Sequence, residues 1–234
     1  MSVRAPDLGL FTPRARLVRT VLGKRGQAVI HLDRQGRADL ALINQTRRAA
    51  PLLLRDAAAL HLLACVRAAT RLNGAMAEAG VLAGGSARLI CAAKGGAPLH
   101  LFDVFDTLQD DPCPAGDAGA VKRHFGAVHG TQQEVSELLR PYPAVRLHPG
   151  LFPGSAAALG ELRFAFVHLD LDLAQGTRDA LAFFVPRMLP GAILIGDDYN
   201  LPEVASSFAE FFAGRDDPLI ALPWAQVMVV KLSG

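Results

Sequence analysis

The chain has 234 residues, enough for one domain with a small N-terminal addition, and its 51% hydrophobic content is ample for a buried core. Lys and Arg number 24 against 22 Asp and Glu, and the net charge of +2 gives no reason to expect a nucleic-acid partner. Cys65, Cys91 and Cys113 are odd in number and lack CxxC or Cys/His ligand spacing, so a reduced, cytoplasmic chain is expected. No leader or membrane span is expected either, because the richest apolar stretch, 52–69, is broken by Arg55, Asp56, His61 and Arg67.

The early basic residues Arg14, Arg16, Arg19, Lys24 and Arg25 read as a solvated helix face. Residues 29–33 and 38–43 flank Arg34-Gln-Gly36-Arg37 as a hairpin, with a helix over the second segment as the alternative. A long apolar-faced helix is expected over 52–72, stopped by Asn73-Gly74. Strand-like runs follow at 76–81, 98–104, 144–148, 163–170 and 191–196. Between them lie helix-compatible stretches at 85–94, 131–140, 155–161 and 177–189. The last of these has Thr177 as its expected cap and is kinked or shortened by Pro186. Residues 219–222 and 226–232 close the chain as an antiparallel pair, and 109–119 is the loosely polar linker. Strand alternating with helix predicts an α/β, doubly wound, Rossmann-like and mostly parallel sheet. The apolar runs are continuous rather than alternating, as strands covered on both faces require.

Three features carry chemistry. Glu78-x-Gly80-x-x-x-Gly84-Gly85-Ser86 follows the first strand and opens a helix, where glycines allow close backbone approach and the helix start offers free N–H groups. Its spacing is not the dinucleotide fingerprint, and a tight turn explains it equally well. Asp103 ends the next strand 23 residues beyond Gly80, close to the ~20 that separate a glycine turn from a ribose-binding acid, so a nucleoside ligand is favoured. Asp103 or Asp106 could instead cap the following turn. Finally, Asp170 and Asp172 end one buried strand while Asp197 and Asp198 end another. Four clustered carboxylates repel one another unless a cation sits between them, and a divalent ion is expected. A calcium loop of the EF-hand kind is excluded, because Ala174 and Gln175 stand where an oxygen ligand and glycine are required. His168 shares the face of Asp170 and is expected as a satisfied core histidine.

These stretches, together with Leu101-Phe-Asp103-x-Phe-Asp106, His168-Leu-Asp170-Leu-Asp172 and Leu189-Pro-Gly191 followed by Asp197-Asp198-Tyr199, resemble the macrocin O-methyltransferase family. That family comprises class I S-adenosylmethionine-dependent enzymes, many of which methylate sugar hydroxyls of natural products with magnesium. The resemblance implies that Gly80, Gly84, Gly85 and Ser86 form the cofactor turn, that Glu78 helps hold it, and that Asp103 takes the ribose hydroxyls. It implies that Gly150 lies near the adenine, that Asp170, Asp197 and Asp198 are metal ligands, and that Asp172 is the general base. It further implies a methyltransferase domain over 51–234, with residues 1–50 as an extension that serves as a lid or a homo-oligomer contact. The lid signature of members acting on macrolide sugars is not found in residues 1–73, so the small-molecule acceptor is open, with a sugar or other diol leading.

Two rivals stand beside this reading. Phe102-Asp103-Val-Phe-Asp106-Thr107-Leu108 also resembles the nucleophile motif of haloacid-dehalogenase-like phosphatases, with Asp103 as nucleophile. That assignment leaves Asp170 and Asp172 without roles. A non-catalytic cofactor-binding domain that kept the fold is the other.

Overall fold

The apolar runs expected as strands at 163–170 and 191–196 lie in strands, whereas the apolar run 180–185 is helical. The structure, a computed structural model, describes residues 12–25, 27–105 and 130–233. The expected linker at 109–119, Asp106, Thr107, Leu108 and Cys113 lie outside the described residues. The strands are β1 (Ala75–Ala79), β2 (Leu99–Asp103), β3 (Val145–Pro149), β4 (Phe164–Leu169), β5 (Met188–Gly196), β6 (Leu219–Leu222) and β7 (Gln226–Val230). They form one seven-stranded sheet in the order β3-β2-β1-β4-β5-β7-β6. Pairs among β1 to β5 are parallel, while β7 runs antiparallel to β5 and to β6. This is the α/β doubly wound sheet with a closing antiparallel pair that the alternation predicts.

The helices are α1 (Pro13–Gly23), α2 (Arg34–Ala49), α3 (Asp56–Ala69), α4 (Gly85–Ala93), α5 (Gln132–Leu139), α6 (Ala174–Phe184) and α7 (Pro202–Phe212). The chain divides into two units, 1–38 and 39–234. The first contains α1 and the start of α2, and the second contains the sheet.

Around the sheet, α3, α4 and α5 cover one face through Ala59, Leu62, Leu63, Val66, Leu89, Ile90 and Val135, packed on Met76, Leu101, Phe166 and Ile195. The other face carries α6 and α7 over Ala77, Phe164, Val167 and Leu194. Phe164, Phe184 and Phe208 on that face have no exposed surface, and burying each is worth ~1.5–3 kcal/mol relative to leaving it in water. Among the described helices none is long and apolar enough to cross a membrane.

Three local expectations change. The hairpin at 29–43 is not formed: residues 34–49 are helical, Asp33 accepts a hydrogen bond from Gly36 N–H at 2.7 Å, and the buried positions Asp39, Ile43 and Thr46 recur at helical spacing. The helix expected from Thr177 starts three residues earlier, and Thr177 Oγ1 donates to the Leu173 carbonyl inside it. At Pro186 it tightens into a 3-10 turn over Val185–Arg187. Helix α7 was not expected, although Pro202 at its first turn and the stripe Val204, Phe208 and Phe212 carry the signal.

Order and direction of the strands place the site. β1 leads to β2 and β3 on one side, and β4 and β5 lie on the other, so strand order reverses between β1 and β4. Ligands of open α/β sheets bind in the crevice at the carboxyl ends of such a pair.

Candidate active site

Beyond β1 the backbone turns sharply, with positive φ at Gly80 (+88°), Leu82 (+52°) and Gly84 (+83°), before α4 begins. Gly80 is required by space as well as by φ. A Cβ there would lie 1.7 Å from the carbonyl oxygen of Asp170, the first residue past β4. Hydrogen bonds from Gly80 N–H to Phe102 O and from Asp170 N–H to Ala79 O, both 2.9 Å, fix this crossing. Gly85 answers a different need, since a Cβ would meet the Pro51 carbonyl oxygen at 2.2 Å. Ser86 is buried in the first turn of α4.

Asp103 holds the turn. Its Oδ2 accepts from Val81 N–H at 2.6 Å and Leu82 N–H at 2.8 Å, and its Oδ1 accepts from Phe105 N–H at 2.9 Å. Gly150, at φ +120°, donates its N–H to the Asp103 carbonyl at 2.9 Å, so the segment after β3 is tied to the same strand end. Glu78 lies in β1, two residues before Gly80. It is wholly buried, with Oε1 against His168 Nδ1 at 2.8 Å, and its Oε2 has no hydrogen-bond partner.

The four aspartates meet at the ends of β4 and β5. Asp172 and Asp198 both have positive φ, +59° and +57°, a backbone conformation that L residues rarely adopt. Donor atoms of His168, Asp170 and Asp197 lie within 4.8 Å of one another, and so do those of Asp170, Asp172 and Asp198. Asp170 is common to both groups. The sequence-predicted residues therefore converge, but as two overlapping groups rather than one triad. Asp197 leans to His168, Nε2 to Oδ2 being 2.6 Å, and Asp198 leans to Asp172.

Electrostatics report the crowding. Burial, then the charges of Asp197, Asp198 and Asp172, push Asp170 well above the usual carboxylate range despite the opposing pull of His168. Asp172 is pushed up to about 7 by burial, then by its hydrogen bond and charge contact with Asp198 and by Asp197. Burial would lower His168, but its hydrogen bonds to Asp197 and Glu78, and their charges, outweigh it and hold the imidazole well above its ordinary value. A divalent cation fits this donor set on two counts: its members are mostly hard carboxylate oxygens, and buried Oδ2 of Asp198 has no partner.

Residues 54–230 match the model of the macrocin-O-methyltransferase (TylF) family. The chain belongs to that family. A rhamnosyl-tetracenomycin-C 4'-O-methyltransferase from Streptomyces olivaceus is 29% identical over 161 residues, 62% of this chain and 61% of the relative. The match thus spans about three-fifths of that curated relative's length. Among solved structures, the O-methyltransferase NovP superposes with a TM-score of 0.62 at 25% identity, over 74% of this chain and 78% of that one. An O-methyltransferase from Bacillus cereus in complex with SAH shares the fold with a TM-score of 0.55 at 16% identity, over 96% and 100%. The fold is that of class I methyltransferases, as the motifs imply.

Membership removes the phosphatase rival. In the structure Asp103 is engaged by three backbone N–H groups, and Asp106, the second acid of that motif, lies outside the described residues.

Residue-by-residue reading missed a cluster beside the metal-type site. On α3, His61 lies in the field of Asp197; its Nε2 is 3.2 Å from Cys65 Sγ and its Nδ1 is 3.4 Å from Gln226 Oε1, which also accepts from Trp224 Nε1 at 2.9 Å. Nothing in the chain links residues 61 and 226 before the sheet brings β7 against α3.

Proposed function

We propose that this protein transfers a methyl group from S-adenosylmethionine to a hydroxyl of a small molecule, a sugar or other diol of a natural product, with magnesium as the metal. The observation that carries this is the abutment of the glycine turn and the aspartate cluster. Gly80 and Asp170 touch backbone to backbone, so a donor held by the turn and an acceptor held by the aspartates are neighbours.

In this reading Gly80, Gly84, Gly85 and Ser86 shape the cofactor turn. Asp103 keeps the Val81 and Leu82 amides in place and, with its remaining lone pairs, takes the ribose hydroxyls, while Gly150 lies along the adenine. Asp170, Asp197 and Asp198 hold the cation. When bound, the cation stabilises negative charge developing on the acceptor oxygen. Asp172 receives the hydroxyl proton. An ordinary aspartate is too weak a base for an alcohol, whereas one pushed up to about 7 is nearer the range that proton transfer at neutral pH needs. Residues 1–50 serve as a lid or as a contact between copies, which leaves 51–234 as the transferase domain. The named relative acts on a rhamnosyl group of a tetracenomycin, which supports a sugar hydroxyl as acceptor here.

Methyl transfer to a panel of deoxysugar-bearing acceptors, with magnesium and with EDTA, tests the reading. Transfer that needs both cofactor and metal is expected. Tight S-adenosylhomocysteine binding with metal-independent transfer would remove the metal from the proposal, and no S-adenosylhomocysteine binding would remove the activity.

A further inference from the structure

We propose that His168, backed by Glu78, is the positioning residue that sets Asp197 as a one-oxygen ligand of the metal site. The inference rests on the metal reading above and adds to it a role for two buried residues.

The three side chains come from three adjacent strands. Glu78 is the register partner of His168 across β1 and β4, and His168 is the partner of Ile195 across β4 and β5, two residues before Asp197. Register partners on parallel strands project to the same face, so carboxylate, imidazole and carboxylate form a line across the sheet. The line is continuous: Glu78 Oε1 to Nδ1 is 2.8 Å, and Nε2 to Asp197 Oδ2 is 2.6 Å. It is also buried, with no exposed surface on the side chains of Glu78 and His168 and 11% on that of Asp197.

Ionised carboxylates only accept hydrogen bonds, so each imidazole nitrogen is committed to one oxygen. Nδ1 bound to Glu78 fixes the plane of the ring, and the ring then fixes Asp197. With Oδ2 held, Asp197 has Oδ1 left to offer. A ligand restricted to one oxygen suits the compact octahedral shell of magnesium or manganese better than the larger shell of calcium, which often takes both oxygens of a carboxylate. Partners behind a metal ligand are worth 10–100-fold in metal affinity in known sites. Burying a carboxylate–imidazole pair is costly, and a purely apolar core would fill the same space without it. Orientation of Asp197 is what the pair obtains in return.

Asn and Gln substitutions separate this role from core filling. An Asn amide nitrogen reaches about as far as Nδ1, whereas a Gln amide nitrogen reaches about as far as Nε2. His168→Gln therefore keeps a donor for Asp197, and His168→Asn does not. The readout is Mn2+ affinity by electron paramagnetic resonance of the S-adenosylhomocysteine-bound protein, with S-adenosylhomocysteine affinity as the control for folding. H168N is expected to bind Mn2+ 10–100-fold more weakly than wild type and H168Q within about threefold, with cofactor affinity unchanged in both. Equal Mn2+ affinity in H168N and H168Q overturns the positioning role. Wild type that binds no Mn2+ overturns the metal reading, and this inference with it.

A measurement on the wild type covers the case in which the variants do not fold. In 15N-histidine-labelled protein the His168 Nε2–H resonance, protected from exchange by burial, is expected to shift when Mg2+ is added. Mg2+ binding that leaves this resonance unmoved overturns the inference.

Discussion

Gly80→Ala tests the geometry on which the site depends. The added methyl would start 1.7 Å from the Asp170 carbonyl oxygen, and real Cβ contacts stay above 3.0 Å, so the two strand ends must separate by about 1.3 Å. Left-handed φ at an L-residue adds ~1–2 kcal/mol, and forcing apart a packed crossing adds ~1–3 kcal/mol. The sum, ~2–5 kcal/mol, corresponds to a fall of roughly 4–20 °C in Tm for a domain of this size. Activity should suffer more than stability, because a misplacement of ~1 Å between reacting groups costs about 100-fold in rate. Gly95→Ala is the matched control: φ is +60° there too, but a Cβ would meet nothing within 4 Å. It should show only the ~1–2 kcal/mol conformational cost and unchanged transfer. Thermal melts, S-adenosylhomocysteine calorimetry and single-turnover methyl transfer would be run on both. If Gly80→Ala melts with Gly95→Ala and transfers methyl within threefold of wild type, the contact between cofactor turn and Asp170 is not what organises the site.

Asp172→Asn should lower kcat by about 10²–10⁴-fold while S-adenosylhomocysteine affinity stays within twofold; coupled loss of both would make Asp172 structural. Asp198→Asn removes a buried unpartnered oxygen and should weaken Mg2+ in a calorimetric titration while slightly raising the metal-free Tm, since it relieves repulsion on Asp170 and Asp172. Unchanged Mg2+ affinity would exclude it as a ligand. In metal-free protein Asp170, Asp172 and His168 all have folded-state pKa values above their ordinary ones. Each contributes stability that is present below its unfolded pKa and lost as pH rises through the folded one, so metal-free Tm should fall from about pH 4 to about pH 7 as Asp172 titrates, with His168 extending the fall above its ordinary value. Added Mg2+ should raise Tm more at pH 8 than at pH 6, because carboxylates must be deprotonated to bind it; the opposite order would mean that the aspartates are not its ligands.

Sequence legibility followed the local nature of each signal. β4 and β5 were readable because Phe164 to Val167 and Ala192 to Ile195 are short continuous apolar runs, as strands covered on both faces require. The turn from Gly80 to Gly85 was readable because positive φ and close approach select glycine locally. Residues 29–43 misled because alternation over so few positions cannot tell strand from helix; the burial of Asp39, Ile43 and Thr46 decided it. Helix α7 carried a start signal at Leu201-Pro202-Glu203 that was weak beside the aspartate motif just before it.

The candidate site divides in the same way. Residue identities and their places at strand ends were legible, since a strand end and a pair of aspartates are both local facts. Which oxygen faces which atom was not. Asp103 was expected at the ribose, and only the packing of β2 beside β1 shows its carboxylate gathering the Val81 and Leu82 amides. His168 was expected as a satisfied core histidine, and it is satisfied; that its partners are Glu78 and Asp197 follows from strand register alone.

What the sequence by itself determined is the architecture and the chemical inventory: buried strands, a glycine turn, an acid at the end of β2 and four aspartates after β4 and β5. These rest on interactions between residues a few positions apart. Only the tertiary structure decided that Gly80 seats against Asp170 and that His168 stands between Glu78 and Asp197. Those contacts join residues 90 and 29 positions apart in the chain, and no local propensity acts over such separations. The sheet order β1-β4-β5 makes them neighbours, and burial then sets their charge and direction.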